Sequence, residues 1–245
     1  MQNFDLHVHT VYSDGTNTPE EMVCAAIARG METIGFSDHS YTDFDGRYCM
    51  KKERIAAYRA EIASLREKYR GRIRVLCGIE QDYYSDAPTD GYDYVIGGVH
   101  SLKFGDRYFD VDGSVEALRE AARCFCGGDI YAVVEEYYRT VANLVPKTHA
   151  TIIGHFDLID KQNERTPFFD ETHPRCRRAW QAAADSLLAC GIPFEINTGA
   201  ISRGYKTVPY PAPEMREYIR SRGGTFLAAS DSHRAETLCF GFETL

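Results

Sequence analysis

The chain has 245 residues, a length that suits one large α/β domain or two small ones and can bury a substantial core. Its apolar share is 44% and its charged share 26%, both ordinary for a soluble globular protein, and no apolar run approaches the roughly 20 residues that span a bilayer. A net charge of −8 argues against a general nucleic-acid binder, but a phosphorylated substrate stays open because bound divalent metal can reverse the local field.

The N-terminus lacks a basic patch followed by an apolar core, so no signal peptide and a cytoplasmic location are expected. None of the eight cysteines forms a CxxC pair, and Cys124 and Cys126 are two apart. Reduced thiols are therefore expected in place of a disulfide framework.

In chain order, Phe4 to Thr10 reads as a strand with Phe4, Leu6 and Val8 on one face and Asp5, His7 and His9 on the other. Two imidazoles two residues apart on a strand can close on one metal ion; on a helix they would splay about 200° apart. A polar loop from Val11 to Asn17 carries Ser13-Asp14-Gly15. Thr18 then caps a helix, with Pro19 at its first position, Glu21 completing a capping box and Gly30 as its stop. Strand two, Thr33 to Ser37, ends in Ser37-Asp38-His39. A loop with Tyr41, Asp43, Asp45 and Arg47 follows. Ile55, Tyr58, Ile62, Leu65 and Tyr69 then recur at helical spacing.

Strand three runs from about Ile73 to Glu80 and strand four from Tyr94 to His100. Residues 114 to 145 read as two helices broken by Gly127-Gly128. Strand five, Thr151 to Gly154, ends at His155, and the helix from Pro174 to Cys190 closes at Gly191. Strand six, Pro193 to Ile196, ends in Asn197-Thr198-Gly199. A helix from about Pro213 to Arg222 precedes strand seven, Thr225 to Ala229, which ends in Ser230-Asp231-Ser232-His233.

Seven rounds of strand then helix predict a parallel sheet. With no internal repeat or linker, residues 1–245 read as one domain. A closed barrel fits better than an open sheet, because metal-ligand types recur at nearly all strand ends and a barrel gathers those ends at one mouth. After His233 only 12 residues remain. Either the final strand lacks a covering helix, or the tail from Leu238 to Leu245 does that work.

The candidates near strand ends are His7, His9, Asp14, Asp38, His39, Glu80, His100, His155, Asp231 and His233, which takes in six of the eight histidines. Imidazole and carboxylate without thiolate suit zinc, manganese or iron. There are too many donors for one tetrahedral site. Two or three divalent ions sharing a bridging carboxylate is the economical arrangement.

His7-Val8-His9, Ser37-Asp38-His39, Gly78-Ile79-Glu80, His100, Gly154-His155-Phe156-Asp157 and Asp231-Ser232-His233 resemble, in order, the motifs of the PHP (polymerase and histidinol phosphatase) superfamily. Gly154 to Ile159, Glu195 to Gly199 and Ser230 to His233 are most similar to its monofunctional histidinol-phosphate phosphatases. The resemblance implies a distorted (β/α)7 TIM-like barrel with a trinuclear centre at the C-terminal mouth of the strands. His7, His9, Glu80 and Asp231 would hold one ion. Glu80 would bridge to a second with His100 and His155, and Asp14, His39 and His233 would hold a third.

The implied activity is hydrolysis of a small phosphorylated substrate, L-histidinol phosphate, with no nucleic-acid or membrane partner and an open oligomeric state. Arg203 is the leading phosphate clamp, since guanidinium suits bidentate contact. Lys161 stands where the family tends to carry arginine, keeping the charge and losing the fork. Lys103 and Arg47 are further candidates. The expected catalytic groups are Asp231 and His233, with Asp38 orienting a ligand histidine or Asp231 protonating the leaving alkoxide. Glu195 either pairs within the mouth or recognises a substrate amine. Tyr41, Tyr48, Tyr83 and Tyr84 line the mouth or pack elsewhere. Other readings are a phosphatase for another phosphomonoester or phosphotyrosine, a nuclease, and a non-catalytic metal-binding module.

Overall fold

The computed structural model describes residues 2–245. Along the chain come β1 (Phe4–Asp5), α1 (Pro19–Ala28), β2 (Thr33–Phe36), α2 (Ile55–Lys68), β3 (Arg74–Asp82) and β4 (Tyr94–Gly98). A hairpin of β5 (Ser101–Phe104) and β6 (Arg107–Asp110) leads into α3 (Val115–Phe125), α4 (Ile130–Ala142) and α5 (Leu144–Thr148). Then follow β7 (Ile152–Ile153), α6 (Pro174–Leu188), β8 (Phe194–Asn197), the single turn α7 (Gly199–Ser202), α8 (Pro213–Ser221) and β9 (Phe226–Ala229).

Seven strands form one parallel sheet in the order β1-β2-β3-β4-β7-β8-β9. Its two ends meet at the mouth, where Val8 bridges Ser232 in parallel: His9 N donates to Ser232 O at 2.8 Å and Ser232 N to His7 O at 3.0 Å. At the opposite end the Gln2 side chain completes the seam, donating to Ala228 O at 2.7 Å and accepting from Ala228 N at 2.9 Å. The result is the distorted TIM-like barrel expected from the alternation of elements.

Local chemistry sets the elements. Thr18 accepts from Glu21 N while the Glu21 side chain accepts from Thr18 N, so the capping box at α1 is complete. In α2 the buried residues are Tyr58, Ile62 and Leu65, the helical stripe that faces the sheet.

The regular seven-fold alternation does not hold. No helix separates β3 from β4, and a hairpin plus three helices separate β4 from β7. The first strand also differs from its reading. Pairing in register with Ile34 puts Asp5 on the outer face, where it accepts from Ser230 and from Cys239 N. Leu6 packs inward with Tyr94, Ile96, Ile152, Leu76 and Leu227. His7 N turns back to Asp5 Oδ1 at 3.3 Å, and beyond this break His7 and His9 point inward while Val8 joins the outer core. A one-residue slip exchanges the faces of a strand, and this chain uses it to stack two histidines above an apolar floor.

The floor fills the bottom of the barrel, with Tyr94 Oη within hydrogen-bond distance of Leu6 O and Phe36 O. Two outer cores pack the helices against the sheet. The tail packs beside the last strand without burying it: Leu238 and Phe242 are buried and Thr198 Oγ1 donates to Phe240 O at 2.7 Å, while Phe226, Leu227 and Ala228 of β9 stay half-buried. All eight cysteines are free. Among the described residues no helix is long and apolar enough to cross a membrane.

Candidate metal centre

Above the apolar floor the barrel interior turns polar. The end of β3 and the segments after β1, β2, β4, β7 and β9 bring together all nine residues read as ligands. They form four overlapping groups, His9-Asp14-His39-His233, His7-Glu80-His155, His7-His9-Asp231 and His39-Glu80-His100, with donor atoms in each within 4.8 Å of one another. Glu80 sits at the centre. Its Oε1 lies 2.7 Å from His155 Nε2 and 3.1 Å from His100 Nε2, and its Oε2 lies 2.9 Å from His39 Nδ1.

The donor set fits divalent metal. His7 Nε2 and both ring nitrogens of His9 are buried without a hydrogen-bond partner. A buried polar atom left this way is costly unless something else satisfies it. His9 is fully buried; burial, with His233 and His39 beside it, drives its pKa down to about 3, which favours a neutral imidazole with one ring-nitrogen lone pair to give. Burial pushes the Asp14 carboxyl up, but His39 and His233 outweigh this and hold it well below its usual range.

Carboxylates behind two of the histidines set their tautomers. His7 Nδ1 meets Glu195 Oε1 at 2.7 Å, which as a donor bond leaves Nε2 bare toward the centre. His100 Nδ1 meets Asp82 Oδ2 at 3.1 Å in the same way, whereas His233 Nδ1 lies between Asp231 O at 2.9 Å and Arg203 Nη1 at 3.1 Å. Asp231 itself has φ of 50°, a left-handed conformation that Asp tolerates better than most residues. That backbone turn directs its carboxylate between His9 Nε2, 3.3 Å from Oδ1, and Arg203 Nη2, 3.0 Å from Oδ2. Gly199 makes the approach possible, since a Cβ there would stand 2.7 Å from Asp231 Cβ.

A cavity of about 250 Å³ opens onto the centre, and its wall includes Tyr48, Asp112, Leu158, Lys161, Arg203 and Tyr205. Arg203 and Lys161 thus face the space above the donors. Lys103 does not: it is exposed on β5 with its Nζ 5.0 Å from the Tyr108 ring centroid. Arg47 is exposed and paired with Asp45 and Asp110. Glu195 lies fully buried, its oxygens taken by His7, His155 N and Asn197, and it is not part of the cavity wall. Asp38 does not orient a ligand histidine. Its carboxylate is taken up by Thr10 and Ser13, in the stretch that carries Asp14.

Of the four tyrosines considered, Tyr48 alone lines this cavity, joined by Tyr205. Asp82 and Asp112 were missed by sequence reasoning. Asp82 follows Glu80 by two on β3 and so shares its inward face, which was the available signal. Asp112 follows a hairpin that had not been recognised.

The chain is similar over nearly its whole length to phosphatases of known name. It is 28% identical to a Deinococcus radiodurans protein named "Probable histidinol-phosphatase", over 97% of this chain and 89% of that one. It is 26% identical to the Bacillus subtilis histidinol-phosphatase, over 99% and 98% respectively. The fold matches the crystal structure of histidinol phosphate phosphatase from Lactococcus lactis, complexed with zinc, L-histidinol and phosphate, with a TM-score of 0.70 at 22% identity over 96% of this chain and 87% of that one. Residues 5–199 match the family model of the PHP domain, and with the barrel and its histidine-carboxylate centre on that stretch and the strand that closes it, the chain belongs to the PHP-domain family.

Proposed function

We propose that this protein is a metal-dependent phosphomonoesterase that hydrolyses L-histidinol phosphate to L-histidinol and phosphate. The observation that carries the reading is the convergence of nine imidazole and carboxylate donors beneath a small cavity walled by Arg203 and Lys161. Its relatives of similar length are named histidinol-phosphatases, which supports the substrate. The same reading makes it a one-domain cytoplasmic enzyme of histidine biosynthesis.

The shared donors His7, His9, His39 and Glu80 favour two to three ions over one. Zinc, manganese and iron all suit imidazole with carboxylate, and the zinc of the Lactococcus complex favours the first. Bound divalent metal supplies an acidified water at neutral pH and Lewis-acid stabilisation of the phosphoryl oxygens.

The chain's own groups do the rest. Arg203 presents its guanidinium and Lys161 its ammonium to the phosphate oxygens, stabilising charge that develops in the transition state. Both are pre-positioned by carboxylates, Arg203 by Asp231 and Lys161 by Asp112 at 2.7 Å. Burial raises the Asp231 carboxyl, but Arg203 and His7 more than reverse this and favour its anion, the form that ligates metal. His233, with Nε2 3.2 Å from Asp14 Oδ2, belongs to the donor set in the same way.

The test is phosphate release by purified protein loaded in turn with zinc, manganese or iron. The expected result is kcat/KM for L-histidinol phosphate well above that for other phosphomonoesters and phosphotyrosine peptides. Faster turnover of another ester overturns the substrate. A metal-loaded protein inert to all of them overturns the activity.

A further inference from the structure

The mouth holds one carboxylate that the metal centre does not use. Asp14, Glu80 and Asp231 line the cavity and belong to the donor groups; Asp112 lines it and belongs to none of them. Asp112 lies just past β6, in the turn that leads to α3. Its Oδ2 accepts from Lys161 Nζ at 2.7 Å, its backbone O accepts from Gln162 Nε2 at 3.1 Å, and its side chain keeps 27% of its exposure.

This ion pair is shaped for a particular kind of ester. In L-histidinol phosphate the ammonium sits on the carbon next to the ester carbon, so the substrate carries a phosphate and a cation side by side. Lys161 and Asp112 offer the complementary pair on the same cavity wall, a cation for the phosphate with an anion 2.7 Å from it. Glu195, the other acid with a claim to the amine, is fully buried and its oxygens are spent.

We propose that the Asp112 carboxylate receives the ammonium of the substrate, and so selects phosphomonoesters that bear an amine on the carbon adjacent to the ester carbon. The assignment rests on the reading that the chain hydrolyses such an ester. Asp112 is a specificity-determining residue: a site built to pair a charged group discriminates against the analogue that lacks it.

The experiment compares L-histidinol phosphate with its deamino analogue, 3-(imidazol-4-yl)propyl phosphate, on the metal-loaded enzyme and on Asp112→Asn. The native enzyme should prefer the amine substrate by on the order of 10- to 100-fold in kcat/KM, the effect of one charge-assisted hydrogen bond. Asp112→Asn should bring that ratio to within a few-fold of unity, and Asp112→Glu should restore part of it. An unchanged ratio in Asp112→Asn overturns the assignment, and the histidinol-phosphatase reading survives if the native enzyme still favours that substrate. Equal losses on both substrates also overturn it, leaving Asp112 as a positioning residue for Lys161. On the native enzyme alone, L-histidinol should inhibit more strongly than its deamino alcohol by a similar ratio; equal inhibition overturns the assignment without recourse to a variant. Failure to release phosphate from L-histidinol phosphate, with other esters cleaved, removes the functional reading and this one with it.

Discussion

His7 Nδ1 and Glu195 Oε1 stand 2.7 Å apart with both side chains fully buried. The bond fixes which ring nitrogen of His7 faces the centre, and it raises the basicity of that nitrogen. Glu195→Ala is therefore expected to weaken metal binding by about 10- to 100-fold, the usual cost of losing such a partner. Glu195→Gln keeps an acceptor oxygen without the charge and should fall between. Chelator competition followed by elemental analysis reads this directly. Native-level metal retention in Glu195→Ala would show that His7 needs no brace.

Gly98 ends β4 under the centre. A Cβ built there would stand 2.7 Å from His100 Cε1 and 3.1 Å from both Glu80 Oε1 and His155 Cε1. These neighbours all belong to the proposed donor set, so none can retreat without leaving the cluster. Gly98→Ala should cost about 1–3 kcal/mol of stability, as an overpacked core does, and abolish stoichiometric metal loading. The measurement is metal content per chain beside a thermal melt. Full loading with native activity would mean that the cluster tolerates a shift of the strand end.

The donors were legible because ligand residue types recur at the ends of strands, and parallel strands around a barrel share one mouth. His7, His39, Glu80, His155 and Asp231 each follow or end an apolar stretch, so their convergence followed from topology alone. Pairing within the mouth was one of the two readings of Glu195 and is what the fold shows, but its partner was not legible, since His7 is 188 residues away and depends on the break after Leu6 that turns it inward. The β5–β6 hairpin had a local signal that passed unread. Leu102 and Phe104 alternate before a Gly105-Asp106 turn, and Gly105 has φ of 59°. Missing that turn left Asp112 in an unassigned loop. Lys103 looked like a phosphate contact for the same reason, because only the hairpin register carries it away from the mouth.

Removing the metal should lower stability as well as activity. Three buried ring nitrogens make no hydrogen bond within the protein: His7 Nε2 and His9 Nδ1 and Nε2. Ligand at about 100-fold over its Kd contributes about 2.7 kcal/mol, or roughly 5–10 °C in Tm for a chain of this size. Chelated protein should therefore melt lower, lose phosphatase activity, and recover both when divalent ion is returned. Calorimetry of the two forms checks it; coincident melts would mean that the donors do not hold metal in the folded state.

Arg203 is fixed at two points, with Nη1 2.9 Å from Asp231 O and Nη2 3.0 Å from Asp231 Oδ2. These bonds orient the guanidinium against the cavity beside the donor set, ready for bidentate contact with a phosphate. Arg203→Ala should lower kcat/KM by about 100- to 1000-fold, the scale seen when one donor to a developing oxyanion is removed. Arg203→Lys keeps the charge and loses the fork, so it should recover only part of that loss. Because Arg203 also touches Asp231, metal content must be measured on the same samples. Activity lost with metal retained assigns the residue to the phosphate. Activity and metal lost together, in both variants, would instead make Arg203 a support for Asp231 and leave Lys161 as the main cation for the substrate.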